Sequence, residues 1–159
     1  MEILFAVLHV VTAVFIIGPM AILPMTAMRA ARARNGAQVL ALARATRTFT
    51  LLSLLVFVLG IALLGVSDPR DHTTFASGWI IWSMLLYVFA FAINLVVTVP
   101  AMKRVAGGLM ASTGPEGTVA AARPGGYGAI AGGYGAIAGG SGLASLLLVT
   151  VVVLMVWKP

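Results

Sequence analysis

Two histidines are the side chains of this sequence best suited to binding a metal or a cofactor. His9 lies in an apolar stretch near the N-terminus, and His72 closes the polar segment 68–72, which reads DPRDH. Imidazole and carboxylate are donors that Zn²⁺ and Cu²⁺ accept in proteins. A metal site formed by His9, His72 and Asp71 is therefore conceivable, although the spacing of the three residues is not a ligand motif.

A single histidine inside an apolar helix is also typical of membrane bundles that bind haem. His9 would supply the fifth ligand of a haem b iron, with a methionine or a water molecule as the sixth. A bis-histidine cytochrome would need a second histidine within an apolar stretch, and the sequence has none. We favour the other interpretation, in which His9 donates one hydrogen bond to a neighbouring helix and the protein holds no cofactor of its own.

Motifs for enzymatic chemistry are missing from the sequence. It contains no nucleotide-binding loop, no catalytic triad, no paired acid–base carboxylates and no HExxH pattern. It also has no cysteine, which excludes disulfides and thiolate-bound metals. The sequence therefore offers no catalytic residue.

Membrane helices must be the elements that position these side chains. Of the 159 residues, 61% are hydrophobic and 9% are charged, whereas a soluble domain carries about 25% charged residues. Four apolar stretches are long enough to cross about 30 Å of hydrocarbon as helices, and they cover about 3–28, 48–66, 79–102 and 141–157. We predict an all-α, polytopic membrane protein with four transmembrane helices in a single domain, 1–159. The first stretch is expected to be retained, because no basic segment precedes it as in a signal peptide.

The positions of the basic residues predict the orientation of the chain. Eight of the ten Lys and Arg residues lie in the loops predicted at about 29–47 and 103–140. Loops rich in these residues remain in the cytoplasm, so both termini are expected on the extracytoplasmic side of the cell (inner) membrane. The net charge of +6 then reflects topology and attraction to anionic lipid, and no nucleic-acid binding is expected.

The segment 29–47 contains the candidate contacts with lipid or with a partner. Its small apolar residues are compatible with a helix that continues beyond the membrane and breaks near Asn35-Gly36. We expect its arginines to bind lipid phosphates, and docking on an acidic partner surface is the alternative. The residues concerned are Arg29, Arg32, Arg34, Arg44 and Arg47.

A seven-residue segment, GGYGAIA, occurs twice in succession, at 125–131 and 132–138. A helix would place Tyr127 and Tyr134 on one face and would give small-xxx-small pairs at 128/132 and 135/139. Each glycine costs roughly 1 kcal/mol relative to alanine in a helix. We therefore predict a loop over about 106–140, with Tyr127 or Tyr134 anchored at the membrane interface. The alternative is that the last turns of this segment extend the fourth helix against a neighbour.

Several short motifs resemble those of a bacterial integral-membrane family of unknown function. They are Leu8-His9-Val10 followed by Gly-Pro at 18–19, the arginine-rich first loop, Gly60, and the closing segment 154–159, LMVWKP. This resemblance covers nearly the whole chain and implies four membrane helices in about 150 residues. The Ala-, Arg-, Val- and Gly-rich composition is similar to that of actinobacterial proteins. The first helix is also loosely similar to copper-resistance and protoporphyrinogen-oxidase-like membrane proteins, which carry a histidine there.

Small membrane chains of this kind resemble the accessory subunits of respiratory supercomplexes, in which a cytochrome bcc complex joins an aa3 oxidase. The resemblance implies a non-catalytic accessory or assembly subunit whose partners are other membrane subunits, such as those of the cytochrome bcc and aa3 oxidase complexes. The alternative is a stand-alone redox protein that binds haem or a metal through His9. A transporter is disfavoured, because Asn94 is the only strongly polar residue expected near the middle of the membrane.

Overall fold

The computed structural model describes residues 2–66, 77–113 and 126–157. In chain order the elements are α1 (Glu2–Arg32), α2 (Gly36–Val66), α3 (Gly78–Ile93), a π-helical segment (Asn94–Thr98), α4 (Val99–Thr113) and α5 (Gly126–Trp157). Helices α3 and α4 continue into one another through the π-helical segment and form one long rod. Four spans are long and apolar enough to cross a membrane: Glu2–Arg32, Gly36–Val66, Gly78–Ser112 and Ala131–Trp157. The predicted all-α fold with four transmembrane helices is confirmed.

The helices are longer than the apolar stretches because they continue at the end of the bundle that carries Arg29–Arg47, here called the arginine-rich end. The segment predicted as a loop at 29–47 is helical except for a turn at 33–35, next to the break expected at Asn35-Gly36. In the second predicted loop, residues 103–113 and 126–140 are also helical. Packing between helices explains the extension, because a continuous cluster of buried residues joins α1, α2, α4 and α5 there.

A Schellman motif makes the turn between α1 and α2. The Asn35 N–H donates to the Ala30 carbonyl and the Arg34 N–H to the Ala31 carbonyl, both at 3.0 Å. Arg34 has φ of 54°, the left-handed conformation that this motif requires and that glycine usually adopts. Asn35 then caps α2, because its Oδ1 accepts a hydrogen bond of 3.0 Å from the Gln38 N–H.

The duplicated glycine-rich segment is helical from Gly126 onward, so the loop prediction is wrong for 126–140. A Cβ atom on Gly133 would overlap Val105 Cγ2, and one on Gly140 would lie 2.7 Å from Thr98 Oγ1. Glycine at these two positions lets α5 approach the α3–α4 rod closely. The resulting packing outweighs the low helix propensity of the segment, as tertiary contacts commonly do.

The buried core occupies the arginine-rich end and the middle of the bundle. Small residues dominate the core at the arginine-rich end, and aromatic and larger aliphatic side chains fill the core in the middle. At the opposite end, here called the His9 end, no residue between 2 and 19 on α1 is fully buried, and none lies buried on α2 beyond Val56. At this end α1 and α2 are therefore packed more loosely than at the arginine-rich end, whereas α3 still buries Ile80 and Ser83.

Pro100 explains the π-helical segment that interrupts the third rod. Proline has no N–H, and its ring clashes with the carbonyl four residues earlier in an α-helix. The backbone widens just before it, and the Val99 N–H donates to the Asn94 carbonyl five residues back. This wide turn lies among buried residues, because Asn94 and Thr98 are only 2% and 0% exposed.

Candidate functional site

His9 contacts α2 in two ways, through a ring nitrogen and through a ring carbon. Its Nδ1 lies 3.0 Å from the Val56 carbonyl oxygen, and since a carbonyl only accepts, Nδ1 must carry the proton. The ring packs against Gly60, where a Cβ atom would lie 3.0 Å from His9 Cε1. This is the cross-helix hydrogen bond that we favoured from the sequence. It leaves the lone pair on Nε2, which is the nitrogen that a haem iron or a metal ion would use.

Of the three residues in the metal site suggested from the sequence, the structure describes only His9. His72 and Asp71 lie outside the described residues. Among the residues that are described, no group of three or more His, Cys, Asp or Glu side chains is close enough to hold a metal ion. His9 is the single imidazole on the described helices.

The structure separates the five predicted arginines into two groups. Arg29 and Arg32 lie in the last turn of α1, where they complement the negative end of the helix dipole, and Arg34 lies in the turn. Arg44 and Arg47 lie one turn apart on α2, and all five side chains are exposed. The second group, Arg44 and Arg47, lines a cleft.

A cleft of about 590 Å³ lies between α2 and α4 beside Arg44 and Arg47. Its lining adds Lys103 from α4, and we call it the basic cleft; it is formed by Leu40, Arg44, Arg47, Thr48, Leu51 and Lys103. Lys103 was not among the predicted contact residues, because only the pairing of α2 with α4 brings it to Arg44 and Arg47. In the part of the chain that the structure describes, the single acidic residue is Glu2, at the start of α1.

The predicted tyrosine contacts have different outcomes. Tyr134 is half-buried and packs against the core of the arginine-rich end, whereas the side chain of Tyr127 lies outside the described part. Of the positions in the predicted small-xxx-small pairs, Gly132, Gly135 and Gly139 do not contact the α3–α4 rod, which meets Gly133 and Gly140 instead. On the other side of α5, four exposed glycines have open space where a Cβ would be, and we call them the open glycine face: Gly132, Gly135, Gly139 and Gly142.

Buried polar groups in the middle of the bundle include a pair that the sequence did not predict. The Tyr87 hydroxyl and Ser53 Oγ are hydrogen-bonded at 2.8 Å, and Tyr87 also stacks on Phe57 with 5.0 Å between the ring centroids. Asn94, which was noted from the sequence, donates weakly to the Ala90 carbonyl at 3.4 Å. Its Oδ1 and the Thr98 Oγ1 are buried without a hydrogen-bond partner within the described structure. The proline at 100 was the available signal for this irregular region.

Taken together, these features are those of a polytopic helical membrane protein whose polar groups serve contacts between helices and with its surroundings. Over residues 3–159 the chain matches the family described as "Predicted integral membrane protein (DUF2269)". The chain belongs to this family, as the resemblance to an integral-membrane family of unknown function implied. No curated protein and no solved structure matches it.

Proposed function

We propose that this protein is a non-catalytic accessory or assembly subunit of a larger membrane complex. It would act in the cell (inner) membrane, with both termini on the extracytoplasmic side. The resemblance described above favours a respiratory complex with cytochrome bcc and aa3 oxidase subunits as the partners. In this role the protein contributes packing surfaces and basic residues, and the reaction belongs to its partners.

The open glycine face carries this proposal. Each of its glycines costs roughly 1 kcal/mol of helix stability relative to alanine, and none of them is needed for a contact within the described bundle. Small residues at helical spacing let two membrane helices approach closely. The opposite side of the same helix uses Gly133 and Gly140 in this way, so a helix of another subunit is the natural occupant of the open side.

The test is purification of the tagged full chain in mild detergent, with an absorption spectrum and mass spectrometry on the same sample. We expect haem-containing oxidase subunits to co-purify with the wild type. Gly135→Leu and Gly139→Leu should reduce their recovery by at least about tenfold, because bulk on this face prevents close approach. Gly107→Leu is the matched control, since Gly107 is also exposed with open space around it. Recovery of the chain alone from cells that contain the oxidase would contradict the proposal.

A second candidate function is a stand-alone redox protein with His9 as a haem or metal ligand. The observation in its favour is the direction of the ring, because Nδ1 donates to a backbone carbonyl as it does in histidines that bind metals through Nε2. A haem absorption band that His9→Ala abolishes, in a chain purified without partners, would support this candidate. If haem is present and His9→Ala leaves its spectrum unchanged, the haem belongs to another subunit.

A further inference from the structure

We infer that the basic cleft binds the phosphate headgroup of an anionic glycerophospholipid. Three cationic side chains line it, two from α2 and one from α4. Arg44, Arg47 and Lys103 are all exposed, and the single acidic residue of the described ranges, Glu2, lies far along α1 at the His9 end. The site therefore presents a concentrated positive charge that the described chain does not neutralise.

The chemistry of the three cations suits a phosphate group. Guanidinium groups donate two parallel hydrogen bonds to phosphate oxygens, and an ammonium group adds a compact charge. Arg44 and Arg47 are three residues apart, so they lie on the same side of α2. Lys103 reaches the cleft from α4, so the ligand is held between two helices and not on the surface of one.

The position of the basic cleft favours a lipid over a soluble phosphate. Arg47 is the last charged residue on α2 before the uncharged stretch from Thr48 to Val66. Leu51, one turn further into that stretch, lines the same cleft. The cavity therefore crosses the boundary between charged and apolar surface, with cations for a headgroup and an aliphatic wall for the start of an acyl chain.

This inference is independent of the proposed accessory function. Other arginines at this end, including Arg29, Arg32 and Arg104, are exposed but do not line the cleft. They attract anionic lipid only through the general field of the surface. Replacing these three residues removes the same charge as replacing the three cations of the basic cleft, so they provide the control.

The experiment is native mass spectrometry of the full chain released from nanodiscs of phosphatidylglycerol mixed with phosphatidylethanolamine. The test variant combines Arg44→Gln, Arg47→Gln and Lys103→Gln, and the control combines Arg29→Gln, Arg32→Gln and Arg104→Gln. Each cation in direct contact with the headgroup contributes about fivefold in affinity, whereas an exposed cation away from the cleft acts only through a field that salt screens within about 10 Å. We expect retained phosphatidylglycerol to fall at least about tenfold in the test variant and less than about threefold in the control.

Three results would overturn the inference. An equal loss in both variants would show that only the overall charge matters. Equal retention of phosphatidylethanolamine and phosphatidylglycerol by the wild type would remove the preference for anionic lipid. Displacement of the lipid by millimolar inorganic phosphate would identify a soluble anion as the ligand. Single Lys103→Gln and Arg47→Gln variants, each expected to lose about fivefold, provide a readout if the triple variant does not fold.

Discussion

At the arginine-rich end the helices touch through glycine and alanine, whereas at the His9 end a hydrogen bond from His9 to Val56 links α1 to α2. The first arrangement fixes the distance between helix axes, because a methyl group added at Gly133 would overlap its neighbour. The second leaves apolar surface on α1 uncovered, with Ile3 81% and Phe15 72% exposed. The closest contacts between helices therefore lie at one end of the bundle, and α1 leaves apolar surface uncovered at the other.

The largest expected effect concerns the sides of the membrane on which the two ends lie. The chain has no cysteine, so single cysteines can be introduced at Ala33 and Gly78, which are exposed at opposite ends. If the basic residues keep the arginine-rich end in the cytoplasm, an impermeant maleimide will label Gly78→Cys in intact cells. It will label Ala33→Cys only after the cells are permeabilised. The reverse pattern would show that the predicted orientation is wrong.

The tight packing is tested by a pair of neighbouring glycines. Gly133→Ala should destabilise the protein relative to Gly132→Ala by roughly 1–3 kcal/mol, because both variants gain the same helix propensity and only Gly133→Ala adds the cost of overpacking. Both variants make the same chemical change in the same helix, and Gly132 has open space around it. The measurement is the fraction folded during titration with a denaturing detergent. Equal stabilities would mean that α5 does not approach α4 as closely as described.

The middle of the bundle, between the two ends, contains buried polar groups with and without hydrogen-bond partners. Asn94→Leu should stabilise the protein by roughly 1–2 kcal/mol, because it removes a buried oxygen that has no partner in the described structure. Tyr87→Phe should instead cost about 1 kcal/mol, because it removes the hydrogen bond to Ser53. The same detergent titration measures both. A loss of stability in Asn94→Leu would mean that the amide oxygen binds something, with an internal water as the first candidate.

At the His9 end, one hydrogen bond should contribute little to stability. His9→Ala is expected to cost about 1 kcal/mol, the usual contribution of a single hydrogen bond between helices. Phe15→Ala is the control from the same helix, and its side chain is 72% exposed, so its loss should change the folding free energy by less than about 0.5 kcal/mol. A cost well above that of Gly133→Ala would reverse the contrast between the two ends.

The smallest expected effect concerns the turn at the arginine-rich end. Arg34→Gly should stabilise the protein by roughly 0.5–1 kcal/mol, since relief of the left-handed strain exceeds the added entropy of the unfolded chain. Ala33→Gly, one residue earlier, should only lower stability. Thermal denaturation in detergent resolves a difference of this size when the two variants are compared in parallel. Destabilisation by Arg34→Gly would indicate that the Arg34 side chain makes a contact of its own.

The number of membrane helices followed from hydropathy, because long apolar stretches in lipid must satisfy their own backbone hydrogen bonds. The ends of the helices could not be predicted from hydropathy. Residues 126–140 are helical since Gly133 and Gly140 fit against the α3–α4 rod, and a propensity scale contains no information about that contact. The same reason applies to the face of α5 that makes the contact. The small-xxx-small spacing pointed to 128/132 and 135/139, whereas the contact within the bundle uses Gly133 and Gly140.

Individual polar residues were predictable from the sequence, but their neighbours were not. His9 was recognised from its type and its apolar surroundings, and a hydrogen bond to a neighbouring helix was among the expectations. The acceptor, Val56 on α2, depends on how α1 and α2 pair. Lys103 joins Arg44 and Arg47 for the corresponding reason, because residues 56 to 59 positions apart become neighbours only when α2 and α4 pack.

The seven-residue duplication also bears on the axial register of α5. Because Gly126, Gly133 and Gly140 recur every seven residues, sliding the helix by one repeat, about 10.5 Å, would place one glycine where another had been. The duplicated segment alone therefore does not define a unique vertical position. That position is set beyond it by Ala144, Leu148 and Val151, which are buried in the middle of the bundle. Ala144 and Val151 keep the seven-residue spacing but differ in size, so a slide would not preserve their packing. A slide of one repeat would also draw about 10.5 Å of the apolar helix out of the hydrocarbon, so the membrane itself keeps the register.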